Sequence, residues 1–542
     1  MEQDGWRTGL YQDSRAVSKV KLGRFAVDLS GLDSLSIKVS LIEGGVYDLL
    51  GLLRLGRPVL SQLSKVIMAN QNCVLAIFAI LVCACASEES AYQTSSSPTE
   101  KVAQQLDPSQ DSVLVARSPG SEWTAKPTRT LAQFPKLPLD PPSGRYGGLA
   151  QTKYAATGFF HTKKIGNRWW LVDPEGHLFI HKGVTSVRRL RSDGAKATLG
   201  EKFGTKKKWA SSTSDLLVEH GFNGLGPWCD KTALPCPETP LVHTKLWNFM
   251  SAYGEQRGGT YQASGHTGYP QDCPFIFDPE FPEFCMKRAR QLSDTKDDPW
   301  LLGHFTDNEL PWRTSMLDNY LKLPATDPGN RAATKWLAER HGPGFKQDKI
   351  NKNDRKEFLA FAADTYFAIV TSAIRKHDPN HLILGSRFHG RAVNIPALFK
   401  AAGRHLDLVS VNYYHAWTPN SKLMSSWEKN SKKPILITEW YAKGQDSGLG
   451  NTSGAGWLVK TQADRGAFYQ NFTLGLLESR VCVGWHWFRY SDNDPAEKGT
   501  DPSNRDANKG IVSNRYQPYE ELLDSMKDLN LRTYRIIEHF DK

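Results

Sequence analysis

From Tyr146 onward the chain alternates short apolar runs with helical stretches, and it does so eight times. The runs are HLFIHKGV (His177–Val184), FNGLGPW (Phe222–Trp228), a stretch over Leu241–Trp247, LLGHFT (Leu301–Thr306), HLILGSRF (His381–Phe388), LDLVSVNYY (Leu406–Tyr414), PILITEW (Pro434–Trp440) and VCVGWHWF (Val481–Phe488). Helical stretches are expected near Lys206–His220, Phe281–Leu292, Asp354–His377, Pro396–Gly403, Asp464–Ser479 and Tyr516–Leu529. In the long one, Phe358, Phe361, Ala362, Tyr366, Ile369 and Ala373 share a face. Short apolar strands separated by helices pair in parallel and are covered on both faces. Eight such units predict an α/β fold, a (β/α)8 barrel with enlarged loops over residues 146–542. A doubly wound open sheet is the competing arrangement, but no G-x-G-x-x-G follows the first strand.

In such barrels the chemistry sits at the C-terminal ends of the strands. Strand four ends in Asp307-Asn308-Glu309, strand five in Ser386-Arg387-Phe388-His389, and strand six in Asn412-Tyr413-Tyr414-His415. Strand seven ends in Thr438-Glu439-Trp440 and strand eight in Trp485-His486-Trp487. One Asp-Asn-Glu by itself is an ordinary turn or helix cap. A glutamate closing the run ILIT is less ordinary, because apolar strands rarely end on a charge. Two glutamates on strands four and seven face each other across a barrel mouth. Carboxyl groups roughly 5 Å apart suit glycoside cleavage in which one attacks and the other donates a proton. Glu309 is then the acid/base and Glu439 the nucleophile, oriented by Tyr413 or Arg387. Asn308 is placed to bond a sugar hydroxyl. Trp312 and Trp487 are expected to stack on sugar rings, with Asn412, His415, Trp440 and Trp485 completing the wall. His486 and His415 read equally well as supporting groups or core histidines; His177 and His181 read as structural, and Asp307 as a support for Glu309.

The motifs at these positions resemble a known group. Asn-Glu on strand four with Glu on strand seven resembles the large clan of retaining (β/α)8 glycoside hydrolases. More narrowly, GNRWWLVDPEGHLFIHKGV, GHFTDNELPW and ITEWYAKGQDSG resemble the family 50 β-agarases, which act on red-algal galactans. The likeness runs from about Gly158 to Tyr519. It implies a retaining hydrolase of agarose-type galactan, with Glu309 as acid/base, Glu439 as nucleophile and Asn308 beside the acid. Two departures stand out: TEW occupies the place where TEF is more usual, and the region before Tyr146 is too short and polar for the sugar-binding β-domain that often precedes such barrels.

Composition narrows the alternatives. Sixteen tryptophans suit a carbohydrate site, where indoles stack on the apolar faces of sugars, although core filling uses them too. The net charge of +11 is spread along the chain without a Lys/Arg block, which argues against nucleic acid; it fits a simply solvated surface and leaves room for a sulfated galactan such as carrageenan or porphyran. A glycan-binding lipoprotein without catalysis is the alternative from another class; the presence of both glutamates argues against it. No H-E-x-x-H, G-x-S-x-G or Walker lysine occurs, so zinc proteases, common esterases and P-loop NTPases lose their main signals. No cofactor and no metal are expected. GLGNTSGAG (Gly448–Gly456) reads as a loop on the substrate side.

The N-terminal region reads as separate from the barrel. Residues 1–67 read as an extension from a start assigned too early, non-native or disordered, with a genuine N-terminal extension as the rival reading. Residues 68–86 read as a signal or lipoprotein segment: the run from Val74 to Ala86 has the length of a signal-peptide core, and VCAC makes Cys85 a candidate for lipid attachment. Residues 87–145, rich in Ser, Gln, Thr and Pro, read as a flexible linker. Export to the periplasm, cell surface or medium is the expectation. None of the eight cysteines forms a C-x-x-C pair; Cys229 with Cys236, or Cys273 with Cys285, are candidate disulfides of an exported protein, with buried free thiols the alternative.

Overall fold

The computed structural model describes residues 111–542, apart from 231, 233 and 235–237, together with four short strands nearer the N-terminus. Those four (Lys19–Leu22, Phe25–Asp28, Lys38–Leu41 and Gly45–Asp48) pair antiparallel in chain order, inside the segment read as an extension. They belong to a unit separate from residues 105–542. The segment 68–86, with Cys85, lies outside the described residues.

The larger unit is the expected barrel. Its strands are β1 (His181–Val184), β2 (Gly224–Leu225), β3 (Val242–Leu246), β4 (Leu301–Phe305), β5 (Leu382–Gly385), β6 (Val409–Asn412), β7 (Ile435–Glu439) and β8 (Cys482–Trp487). All neighbouring pairs from β5 through β1 and β8 to β6 are parallel. The ring closes between β5 and β6 through Phe388, which pairs with Val411 and exchanges backbone bonds with Ser410 and Asn412 at 2.9 and 2.8 Å. Around it lie α1 (Lys206–Glu219), α2 (Phe281–Ala289), α3 (Lys352–His377), α4 (Pro396–Ala402), α5 (Ser421–Ser431), α6 (Gln462–Glu478) and α7 (Glu520–Asn530). Between β2 and β3 there is no helix among the described residues. The caps follow local chemistry: Thr205 accepts from the Lys208 amide, and Asn351 with Asp354 closes a capping box on α3. Helix α5 was not anticipated; its sequence SKLMSSWEKNS is mostly polar, and it buries only Met424, Trp427 and Ser431.

A small apolar cluster fills the barrel: Val242, Leu302, Phe305, Leu384, Leu408, Leu436 and Val483, with Tyr146, Phe160, Leu171 and Phe179 joining it. The strands carry bulges. Val411 and Asn412 of β6 pair with Ile437 and Glu439, skipping Thr438; Ile435 and Leu436 pair with Cys482 and Gly484, skipping Val483. A bulge reverses which residues of a strand face inward, and barrel rims use them to re-aim side chains.

The linker expected over residues 87–145 is corrected from residue 111. Ser112–Ala116 pairs antiparallel with both Thr124–Pro127 and Trp457–Val459, in a four-stranded sheet with Ala442–Gly444. The Trp417 indole donates to Thr128 at 3.0 Å. Polar composition hid this arm because its buried residues, Val113, Val115, Ala116 and Thr128, are too few to show a pattern. Of the two alternatives for Cys273 and Cys285 the structure has buried free thiols rather than a disulfide; Cys229 is a half-buried free thiol, and its candidate partner Cys236 lies outside the described residues.

Candidate active site

The C-terminal ends of the barrel strands border a cleft of ≈ 1090 Å³. Its carboxyl groups are delivered by two local devices. After β4 the chain turns on Asp307, whose carboxylate is fully buried and accepts from the Met250 and Ser251 amides and from the Tyr366 hydroxyl at 2.6 Å. That fixes the turn, and Glu309 then adopts φ +52° and enters the cleft. On β7 the bulge at Thr438 brings Glu439 into the same cleft. Ser186, Trp228, Arg387 and His415 also have positive φ, so five non-glycine residues following five different strands hold left-handed backbone at this rim. Such conformations cost energy and gather where a site demands an aim the strand alone does not supply.

The two glutamates have different surroundings. Glu439 accepts from the Tyr414 hydroxyl at 2.6 Å and pairs with Arg387 Nη2 at 2.8 Å. Glu309 accepts from the Asn412 amide at 2.7 Å and has His266 and His389 at 3.7 and 4.0 Å. Burial pushes both carboxyls up to about 7, Glu309 against the Asn412 bond and Arg387, and Glu439 against Arg387 while the Glu309 charge adds to the rise. The pair therefore titrates together near neutrality. Because Glu439 has the guanidinium and the phenol, it holds the charge in the singly protonated state, leaving the proton on Glu309.

Arg387 lies fully buried behind both groups. It donates to Asn308 Oδ1 at 2.8 Å and to the Thr438 carbonyl at 2.9 Å, and its guanidinium stacks 4.3 Å from the Trp228 ring centroid. Asn308 lines the cleft with its amide oriented by that bond. Asn412 is oriented by Thr438, which donates to its Oδ1 at 2.7 Å, so it positions Glu309 rather than acting as a free sugar contact. His415 stands exposed at the rim, bonded through Nδ1 to Arg117 at 3.2 Å.

Several expected contacts are corrected. Trp312 packs on Tyr366 and Phe367 of α3 and does not line the cleft. Trp440 stacks on Phe472 of α6 at 4.4 Å. Trp485 donates to Tyr469 of the same helix, and Trp487 packs edge-on against Trp440. All three point outward from the barrel into the helix layer. Tyr413 also faces the helices, against Trp427 and Phe472; it is Tyr414 that reaches Glu439. His486 pairs with His181 at 2.9 Å in the buried interior, and both stay neutral because burial lowers their basicity.

The cleft has residues the sequence did not single out: Trp228, its one tryptophan among the described residues, with Phe488, Tyr441, His266, Arg188, Arg489 and Lys509. Trp228 closes the second apolar run, and its place after Gly-Pro was the available signal. The anticipated glycine-rich loop does reach the cleft through Gly454 and Ala455. Facing it, Asp501 accepts from the Gly265 amide and Gln262, joining the loop around His266 to the one that carries Lys509. Two groups of side chains have ligand atoms close enough to gather round a metal: His266, Glu309 and His389 in the cleft, and His304, Asp378 and His381 beneath it. In the second, Asp378 already accepts from both histidines at 2.7 and 2.8 Å.

No family model matches this chain. Among curated proteins it is similar to β-agarase B of Vibrio sp. (strain JT0107), 28% identical over 77% of this chain and 54% of the relative. It is also similar to β-agarase A of the same strain, 26% identical over 69% and 45%. The chain thus spans about half the length of these relatives. Among solved structures it resembles BpGH50, with TM-score 0.70 and 29% identity over 80% of this chain and 96% of that one. An exo-β-agarase at TM-score 0.61 and 23% identity, over 75% of this chain and 69% of that one, shares the fold.

Proposed function

We propose that this chain is a retaining glycoside hydrolase that cleaves β-galactosidic linkages in agarose-type galactan. The observation that carries the reading is the pair of buried glutamates at the ends of β4 and β7, one bonded to a guanidinium and a phenol, the other to an amide. The charged Glu439 is suited to attack the anomeric carbon. Glu309, carrying the proton, is suited to protonate the departing oxygen and then to activate water as its proton is lost. Asn412 places the two glutamates near one another: its backbone pairs with Glu439 in the strand register while its side-chain amide donates to Glu309. That closeness favours the shorter separation, roughly 5 Å, of enzymes that form a covalent intermediate over the wider gap that admits a water. Likeness to two β-agarases supports the galactan. Trp228 offers the cleft's indole face for a sugar ring.

Incubation with agarose, porphyran, carrageenans and mannan, with proton NMR of the first reducing ends released, tests the reading. Agarose is expected to be cut, with the β-anomer appearing first. Release of the α-anomer would overturn retention, and cleavage of mannan alone would overturn the galactan. Export through residues 68–86 belongs to the same proposal, since the polymer is too large to enter a cell; the mature protein is expected to begin at or after Cys85, and N-terminal sequencing checks it.

Glu309→Ala is expected to lower turnover about 10²–10⁴-fold on the polysaccharide, the usual contribution of a general acid. The loss shrinks sharply for an aryl galactoside whose leaving group needs no proton. Azide then restores rate by entering the vacated space and forms a β-galactosyl azide. Equal losses on both substrates, with no azide product, would remove Glu309 from the acid/base role.

A further inference from the structure

We propose that Arg489 and Arg188 form a subsite for an anionic substituent on the sugar chain, a sulfate ester or a carboxylate. The inference rests on the glycan reading above and names the class of galactan the cleft accepts. Both residues line the cleft on the side of β8 and β1, away from the β4 end that delivers Glu309. Arg489 is 5% exposed.

The other buried arginines show what a structural guanidinium looks like in this fold. Arg387 is bonded to Glu439, Asn308 and the Thr438 carbonyl, although its Nε too has no acceptor; Arg465 is bonded to the Ala442 and Gly510 carbonyls and to Gln462, and Arg168 to Asp541 and the Leu477 carbonyl. Arg489 has no side-chain hydrogen bond and no ion pair among the described residues, and its buried Nε has no acceptor. Asp492 and Glu497 act on it only at longer range, and burial with the neighbouring Arg188 charge lowers it to about 10, so it remains a cation at neutral pH. Asp492 is itself committed to the Gly510 amide, Asn508 and Tyr519. An unpaired buried guanidinium is costly, and it is retained most readily where a bound anion completes it. Arg188, exposed at the rim, adds a second charge beside it. The acidic groups of the cleft do not cancel this wall: Glu309 is bonded to Asn412, Glu439 faces Arg387 and Tyr414, and Asp501 is held by Gly265 and Gln262 and by Ser503 of its own loop. Two guanidiniums offer the fork geometry that suits sulfate and carboxylate oxygens.

The test is calorimetric binding to the full-length Glu439→Gln variant, using galactan oligosaccharides of one length that are neutral, sulfated or pyruvylated. At low salt the sulfated or the pyruvylated sugar is expected to bind about tenfold tighter than the neutral one, the size of a charge-assisted pair, and the advantage falls at high salt. Whichever of the two shows the gain identifies the substituent. Arg489→Gln brings the anionic-to-neutral ratio to about one, Arg489→Lys keeps part of it, and Arg188→Gln, at an exposed position, reduces it without risk to folding. Equal affinity for neutral and both anionic sugars overturns the subsite while leaving the galactan reading intact, as does a preference that persists in folded Arg489→Gln and Arg188→Gln. Failure of every sugar to bind overturns both.

Discussion

Glu439→Gln is expected to reduce galactan hydrolysis at least about a thousandfold, because the amide cannot form the covalent glycosyl intermediate. The loss is the same for polysaccharide and for substrates with good leaving groups, which separates it from Glu309→Ala. Folding is expected to survive. Glutamine is nearly isosteric; its Oε1 still accepts from Arg387, and its amide can donate to Tyr414 with the phenol turned to accept. A carboxyl that burial has already pushed up to about 7 gives up little by becoming neutral, so the stability change stays within about 1–2 kcal/mol. Rates on agarose, melting temperature and oligosaccharide affinity are the measurements. Activity within tenfold of the parent, on a variant that melts normally, would take Glu439 out of the mechanism.

The barrel and its two glutamates were legible because they depend on what a sequence displays directly: eight apolar runs, and charges where apolar strands should continue. The indoles were misread for a physical reason. Along a strand alternate residues face opposite sides, and in a barrel both sides are buried, one by the interior and one by the helices. The β8 run CVGWHW is buried at every position, so composition does not say which tryptophans face in. Parity does not say it either. Val483 lies in the interior cluster, and strict alternation from it would turn Trp485 and Trp487 inward; the bulge there reverses them into the helix layer. In β7, Leu436 faces in, and alternation would have turned Trp440 inward and Glu439 outward; the bulge at Thr438 exchanges them. A single unpaired residue therefore decides that this strand presents a carboxyl rather than an indole, and nothing in ILITEW announces it.

Strand β6 shows the opposite case. Leu408 lies in the interior cluster, and unbroken alternation carries Asn412 and Tyr414 inward and Tyr413 outward, as found. Tyr414 could have been chosen over Tyr413 from Asn412 alone. The cationic wall was hidden for another reason: Arg188 and Arg489 are 301 positions apart and meet only because β1 and β8 are neighbours in the closed ring.

Arg387→Met is expected to lower kcat/KM at neutral pH by about a hundredfold and to move the pH optimum upward. The side chain is fully buried, and its charge is the main influence opposing desolvation at Glu439. Without it, Glu439 sits buried beside Glu309 with the Tyr414 hydroxyl and the weaker influence of the Lys509 charge to favour its anion. Its carboxyl then titrates higher. Since the nucleophile acts ionised, the rate at pH 7 falls with the ionised fraction and is partly recovered as pH rises. The loss of Asn308 orientation adds a part that pH does not restore, because Asn308 takes its direction from Arg387 Nη1. Together these match the 10²–10³-fold cost of removing one preorganised electrostatic partner from an active site. Stability changes less than for most broken buried pairs, because Glu439 can take up a proton instead of remaining as an uncompensated anion. Arg387→Lys restores a charge but not the fork, so it holds either Glu439 or Asn308 and recovers only part of the rate. The full pH–rate profile of both variants is the measurement. An unshifted acidic limb with only KM raised would show that Arg387 serves substrate binding through Trp228, on which it stacks, rather than the charge of Glu439.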